Sequence, residues 1–285
     1  MSEPSQPILR FAPSPNGRLH MGHAYSALLT DRWAKDMGGI VLLRIEDIDT
    51  KRCRPEFVAG VFEDLQWLGL RYPEPVRVQS QHFDDYRKAA ETLKSKDLLY
   101  PCFCSRSEIR AASDGGTDPE GAPLYPGTCK HRYAAKRTEK LVAGVPVQWR
   151  IDMGKAIETA GEIFMTEAMP TPQAAPMRRI ADPVRWGDVV LVRKDTPTSY
   201  HISVVVDDAL QGVTHVTRGM DLYAATDIHV LLQKLLGLAT PIYTHHALVT
   251  DEAKEKLSKS KGSESLADLR ATGWSATDVK AALGF

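Results

Sequence analysis

Apolar positions along the chain alternate between short compact runs and longer stretches with helical spacing, which predicts strands alternating with helices and hence a parallel sheet. Ile8 to Ala12 reads as a short buried strand broken by Pro13, Pro15 and Gly17, and a helical pattern follows from about Met21 to Met37. Ile40 to Ile45 is a β-branched run that predicts a second buried strand. Phe57, Val61, Phe62, Leu65 and Leu68 place a helix over Arg54 to Gly69, and Phe83 to Lys96 gives another. Val145 to Ile151 alternates like a strand, and Val189 to Lys194 and Val213 to Arg218 predict two more. Tyr200 to Asp207 runs through Ser203-Val-Val-Val and reads as a buried strand ending at the pair Asp207-Asp208. A helix carries Leu231, Leu232, Leu235 and Leu236, whereas Ala168 to Pro183, rich in Pro and Ala with Arg178-Arg179, reads as a linker or exposed loop. No internal repeat interrupts this order.

Composition narrows the picture without deciding it. The chain has 285 residues, 43% hydrophobic and 25% charged, as expected of a globular protein with a sizeable core. No apolar run approaches the roughly 20 residues that cross a bilayer. Met1 to Pro7 lacks the apolar core of a signal peptide, so a cytoplasmic protein is expected; a monomer with no membrane association is the accompanying expectation. Lys plus Arg and Asp plus Glu both number 36, so any basic face for nucleic acid must be local.

The chemistry concentrates where the first strand turns into the first helix, from Arg10 to His23. The N–H groups opening a helix lack intrahelical partners, and the helix dipole favours an anion there. His20 and His23 share one face of the first turn and can donate to a phosphate as its charge develops, while Gly22 keeps the surface low. Two surface histidines after a turn would look the same, because a lone His-x-Gly-His is a weak signal. A distant stretch, Lys256-Leu257-Ser258-Lys259-Ser260, changes the balance. Together the two stretches resemble the paired nucleotide-binding motifs of class I aminoacyl-tRNA synthetases. Glu46, in Arg44-Ile45-Glu46-Asp47-Ile48-Asp49 at the end of the second strand, is placed to face a ligand crevice, although a solvated acidic turn would read alike.

Of four cysteines, Cys102, Cys104 and Cys129 cluster in a pattern suited to metal, and Cys53 stands apart as a structural thiol. Three thiolates and a fourth donor suit a closed zinc site, and donor type alone selects His131. Three free thiols in a reducing compartment are the alternative. A polar excursion, Ser113 to Pro123, separates Cys104 from Tyr125 and Cys129.

Five stretches resemble the catalytic part of glutamyl-tRNA synthetases. They are Arg10-Phe-Ala-Pro-Ser14-Pro, His20-x-Gly-His23, Arg44-Ile-Glu46-Asp-Ile-Asp49, Tyr200-His201 through Gln211-Gly-Val-Thr-His-Val-Thr-Arg218, and Lys256-Leu-Ser-Lys259-Ser. Few residues follow the last, so no anticodon-binding domain is expected, and the short form with a Cys-x-Cys…Tyr-x3-Cys cluster resembles the glutamyl-Q tRNA(Asp) synthetase family. That resemblance implies a Rossmann-like doubly wound parallel sheet of the class I synthetase type, an α/β fold split by an inserted zinc-containing subdomain. The nucleotide-binding halves are expected at 8–100 and 194–240, the insertion at 101–193, and a C-terminal segment bearing the second motif at 241–285. It implies activation of L-glutamate by ATP with Mg2+ and transfer to queuosine in the anticodon stem-loop of tRNA(Asp). Arg10 and Arg218 would hold carboxylates, Glu46 the ammonium, and Ser14 and Tyr200 neutral hydrogen bonds. His20, Gly22, His23, Lys256 and Lys259 would take ATP, with His20, His23 and Lys259 catalytic. The family's zinc ligands fall on Cys102, Cys104, Tyr125 and Cys129, so resemblance and donor type disagree over the fourth. Cys129 and His131 stand one residue apart, which would force the backbone back on the ion, whereas Pro126 and Gly127 offer a turn after Tyr125. A truncated glutamyl-tRNA synthetase, an RNA-independent adenylyltransferase and a non-catalytic paralogue share parts of this pattern.

Overall fold

Strand β1 (Ile8–Phe11) buries its last three residues, and the prolines behind it end the ladder before α1 (Met21–Asp36). The computed structural model describes residues 6–131, 134–168, 175–249 and 264–285. Helix α1 returns the chain to β2 (Ile40–Ile45), which pairs parallel to β1 with Ile8 opposite Ile40. Helix α2 (Pro55–Trp67) then leads to β3 (Arg77–Val78), parallel to β2. After α3 (Phe83–Ser95) come β4 (Leu99–Cys102), α4 (Arg106–Ala112), α5 (Ala134–Val142), β5 (Gln148–Ile151) and α6 (Met153–Ala160). The order continues through β6 (Phe164–Glu167), β7 (Met177–Ile180), β8 (Val190–Val192), α7 (Tyr200–Leu210), β9 (His215–Gly219) and α8 (Ala225–Leu236). It closes with β10 (Ile242–His246), α9 (Leu266–Ala271) and α10 (Ala276–Ala282).

Three sheets result among the described residues: β1-β2-β3, β7-β6-β10-β9, and an antiparallel β4-β5-β8. The first two meet where β9 lies beside β1: the Thr214 N–H donates to the Ile8 carbonyl and the Ile8 N–H to Thr214 Oγ1. From β1 the chain winds one way through β2, and from β9 the other way through β10. The junction is therefore a topological switch point, where strand ends part to leave a crevice. One apolar core packs α1 and α2 with α9 and α10 against β1 and β2, and a larger one packs α6, α7 and α8 around β6 and β10.

Two expectations change. Tyr200 to Asp207 is the helix α7, not a strand; Ile202 to Asp208 are all buried, and a short run buried on every side has no period to tell helix from strand. Part of the supposed linker is β7, which pairs antiparallel with β6. The range 101–193 contributes to two sheets: β4, β5 and β8 form their own, but β6 pairs parallel with β10. Met165 packs in the same core as Tyr243, so burial draws that strand into the central sheet. No helix among the described residues is long and apolar enough to cross a membrane.

Asp64 on α2 is fully buried; its nearest cation is Arg270 on α9, with Nη2 3.6 Å from Oδ1, and neither carboxylate oxygen accepts a hydrogen bond among the described residues. Burial pushes its carboxyl up to about 6, against the opposing pull of Arg270 and Arg18. The folded protein therefore keeps a proton that the unfolded chain releases near pH 4, so this group makes stability fall as pH rises from about 4 to 6. Asp64→Asn should remove that fall, with a gain over the parent of up to roughly 3 kcal/mol above pH 7 that vanishes below about pH 4. Urea unfolding across that range measures it, and equal slopes in parent and variant would refute it.

Candidate active site

The crevice at the switch point is a cavity of about 900 Å³. Arg10, Ser14, His20, Gly22, His23, Glu46, Tyr200 and Arg218 all line it, although they lie as far as 208 positions apart in the chain. They arrive from the ends of β1, β2 and β9, the turn after β1, and the first turns of α1 and α7. Lys256 and Lys259 lie outside the described residues.

The two histidines cap α1 with their own rings. His20 Nδ1 accepts from the Gly22 N–H at 3.1 Å, and His23 Nδ1 accepts from the His20 N–H at 3.2 Å. A ring nitrogen that accepts from an amide carries no proton, so each imidazole holds its proton on Nε2 and presents a donor there. Their centroids stand 3.9 Å apart. A Cβ on Gly22 would meet His20 Cε1 at 3.1 Å and Nδ1 at 3.2 Å, so the glycine makes room for the ring that caps the helix.

Beneath them lies a buried layer of charge. Asp208, on α7, accepts from Arg10 Nε at 3.2 Å and from Arg44 Nη1 at 2.8 Å through one oxygen. Burial alone would raise its carboxyl, but Arg44 and Arg10 outweigh that and hold it below the usual range. Arg44, wholly buried at the end of β2, also donates to Glu46 Oε1 through Nε and Nη2 and to Gln211. Burial raises the Glu46 carboxyl against the pull of Arg44 and Arg10. Asp207 accepts from Arg77, Gln79 and Tyr86. In this layer Asp207, Asp208 and Glu46 are thus each held by at least one guanidinium.

Arg218 is different. Nε donates to His245 Nε2 at 3.3 Å, Nη1 to His229 Nδ1 at 3.0 Å and Nη2 to Thr226 Oγ1 at 2.5 Å. None of these partners is a carboxylate, and the residue is 4% exposed. Burial and then the Arg218 charge hold His245 down at about 3 and His229 well below its ordinary value, so both rings are neutral. A guanidinium has five N–H donors. Three are committed, leaving one on each terminal nitrogen at the wall of an open cavity. Among the described residues no carboxylate pairs with it, and a buried cation left so is costly unless an anion joins it.

Tyr200 packs edge-on to His229 with centroids 5.4 Å apart, and Ser14 hydrogen-bonds the Cys53 thiol. Sequence reasoning assigned no role to Arg44, Asp208, His229 or His245. An arginine at a strand end followed by Glu46, and a His-His pair closing the apolar strand β10, were the available signals. It also left Glu120 as part of a loose excursion, but the segment folds on itself through Asp118, which accepts from the N–H groups of Glu120 and Ala122, and Glu120 lines the cavity.

Away from the cavity, the sulfurs of Cys102, Cys104 and Cys129 lie within 4.8 Å of one another. Cys104 Sγ is 3.6 Å from Cys129 Sγ and 3.6 Å from Tyr125 Oη, which accepts from the Cys129 N–H at 2.7 Å. Burial would raise the Cys102 thiol, but hydrogen bonds from Gln148, Tyr125 and Arg150 bring it down to about 7. His131, exposed, is not in the donor group; its ring lies against Gly127, whose φ of 76° makes the turn.

The family described as tRNA synthetases class I (E and Q), catalytic domain, matches residues 8–280. A protein of Rhodobacter capsulatus named glutamyl-Q tRNA(Asp) synthetase is 44% identical over 284 residues, covering 97% of this chain and 99% of that one. One of the same name from Symbiobacterium thermophilum is 38% identical, covering 97% and 85%. Among solved structures, the glutamate tRNA ligase of Elizabethkingia meningosepticum in complex with its amino acid aligns with a TM-score of 0.72 at 26% identity. That alignment covers 95% of this chain and 54% of the ligase, so the chain spans about half the length of that enzyme.

Removing Asp208 leaves Arg10 and Arg44 sharing a buried layer without their common partner. Asp208→Ala should cost about 3–5 kcal/mol of folding stability. Denaturant unfolding at pH 7 measures this, and a loss under about 1 kcal/mol would show that the layer does not depend on Asp208.

Proposed function

The chain belongs to the class I tRNA synthetases (E and Q), catalytic domain, a family of ligases, and we propose that it activates L-glutamate with ATP and transfers the glutamyl group to queuosine in the anticodon of tRNA(Asp). The observation that carries the reading is Arg218: a buried guanidinium with neutral partners, sharing one cavity with two histidines at a helix N-terminus. Glutamate offers two carboxylates to Arg218 and Arg10 and an ammonium to Glu46, whose bonds from Arg44 both fall on Oε1. Tyr200 and Ser14 add neutral hydrogen bonds.

In the first step an oxygen of the glutamate α-carboxylate attacks the α-phosphorus of ATP. The bond to the bridging oxygen breaks, and pyrophosphate leaves with its electron pair. His20 and His23 donate Nε2–H bonds to the α-phosphate oxygens as charge builds there, acting as preorganised donors. Lys256 and Lys259, from the second motif, are assigned to the phosphates. Mg2+ bound to the triphosphate supplies charge neutralisation. In the second step a hydroxyl of the queuosine cis-diol attacks the acyl carbon, loses its proton, and expels AMP. The relatives named for glutamyl-Q tRNA(Asp) support this acceptor.

Cys102, Cys104, Cys129 and Tyr125 suit a structural zinc ion. Zn–S bonds of about 2.3 Å in a tetrahedron set sulfurs about 3.8 Å apart, close to the 3.6 Å between Cys104 and Cys129. Four protein ligands leave no position for substrate, so the ion would brace β4 and the loop after it.

Two experiments test these readings. RNA-free protein should support glutamate-dependent exchange of label between pyrophosphate and ATP, and should place labelled glutamate on the anticodon fragment of nuclease-cut bulk tRNA. Periodate treatment of the tRNA beforehand should abolish acceptance. Label on the 3′-terminal nucleoside would refute the acceptor, and absence of exchange would refute glutamate activation. For the metal, zinc should leave Tyr125→Phe faster than His131→Ala under a mild chelator; the reverse order would assign the fourth position to His131.

A further inference from the structure

The hydrogen-bond chain behind Arg218 does not end at its first partners. His245 Nε2 accepts from Arg218 Nε, because a guanidinium only donates, and the ring is neutral, so its proton resides on Nδ1. His245 Nδ1 lies 3.3 Å from Glu167 Oε1, which accepts that proton's hydrogen bond. Glu167 Oε2 in turn is held by Arg179 Nε at 2.7 Å. His245 has a wholly buried side chain on β10, and Glu167 ends β6, the strand that pairs alongside it. The opposite tautomer would point a ring N–H at an arginine N–H, donor against donor, and would push the guanidinium away from its seat.

We propose that Glu167 is a positioning residue of the amino-acid site: by fixing the tautomer of His245, it aims the buried guanidinium of Arg218 at the carboxylate of the substrate. The inference rests on the reading of this cavity as a glutamate site. It explains why β6 and β7 leave the rest of the 101–193 range and join the central sheet: they deliver a carboxylate, and the arginine that orients it, behind a strand end that lines the site. His229 offers a parallel case, since its Nδ1 accepts from Arg218 and its Nε2–H donates to His201 Nδ1 at 3.3 Å. There, however, the chain ends on a neutral ring. Glu167 instead offers a carboxylate oxygen, itself held by Arg179, and so is the side chain that decides a tautomer.

The test separates aim from folding. In glutamate-dependent pyrophosphate exchange, Glu167→Ala should raise the KM for glutamate about tenfold or more, the scale of one lost hydrogen bond to a charged group, while the KM for ATP and kcat stay within about twofold. Glu167→Gln, whose carbonyl can still accept from Nδ1–H, should recover most of the loss. In a His245→Gln background, where an amide oxygen accepts from Arg218 without any tautomer, adding Glu167→Ala should change the KM for glutamate little. Uniform losses in all parameters, or an unchanged KM for glutamate, would overturn the proposal. Nitrogen-15 spectra of the unmodified protein give a check that needs no variant to fold: His245 must appear as the neutral Nδ1–H tautomer, and an Nε2–H form overturns the proposal. If the unmodified protein shows no glutamate-dependent exchange at all, the glutamate reading itself has failed, whatever the spectra show about Glu167.

Discussion

One carboxylate oxygen, Oδ1 of Asp208, holds the two ends of this structure together. It reaches from α7 to arginines on β1 and on β2, spanning 198 and 164 positions of sequence. Three buried charges in direct contact are stable only if each stays paired, because an uncompensated charge in a low-dielectric interior costs several kcal/mol. The contact therefore fixes how α7 sits over the switch point. Everything that reaches the cavity from that side, including Tyr200 on the first turn of the same helix, takes its place from it.

Above this layer the site works by withholding a counter-charge. Arg10 and Arg44 meet carboxylates, whereas Arg218 meets two neutral imidazoles and a hydroxyl. An acidic partner would stabilise the empty protein and compete with an anionic ligand. Neutral acceptors hold the guanidinium in place and leave its charge uncompensated among the described residues, as the proposed glutamate site requires. The histidines stay neutral because burial disfavours a charged ring and, after it, the guanidinium they hold repels a second charge. The same logic, with protons assigned by what the other nitrogen does, governs His20 and His23, whose Nδ1 atoms are occupied by the backbone of the helix they cap.

The cysteine cluster beside the β4-β5-β8 sheet is built on a shorter range. Cys102 ends β4, Cys104 follows at once, and the turn at Gly127 brings Cys129 back so that the sulfurs converge. Tyr125 sits among them with Arg150 4.0 Å above its ring, and the compact turn around Asp118 carries Glu120 to the cavity wall. A segment that reads as a loose polar excursion is thus ordered by side chains bonding their own backbone, a local device that composition hides.

Sequence determined what local pattern can determine. The strand, turn and helix from Ile8 to Met37, the strand at Ile40 to Ile45, and the helices over Arg54 to Gly69 and Phe83 to Lys96 follow from apolar spacing and from breakers at Pro13, Pro15 and Gly17. Eight candidate residues named from four of the five stretches line one cavity, while Lys256 and Lys259 of the fifth lie outside the described residues. What lay beyond it was any choice made by burial on all sides or by contact across the fold. Ser203-Val-Val-Val became helix because the core surrounds it, and β6 joined β10 because packing, not spacing, places a strand in a sheet. The pairing of Asp208 with Arg10 and Arg44, and of Glu167 with His245, exists only once distant segments meet. A carboxylate reads the same in sequence whether it faces water or a buried guanidinium, and only the tertiary structure decides which.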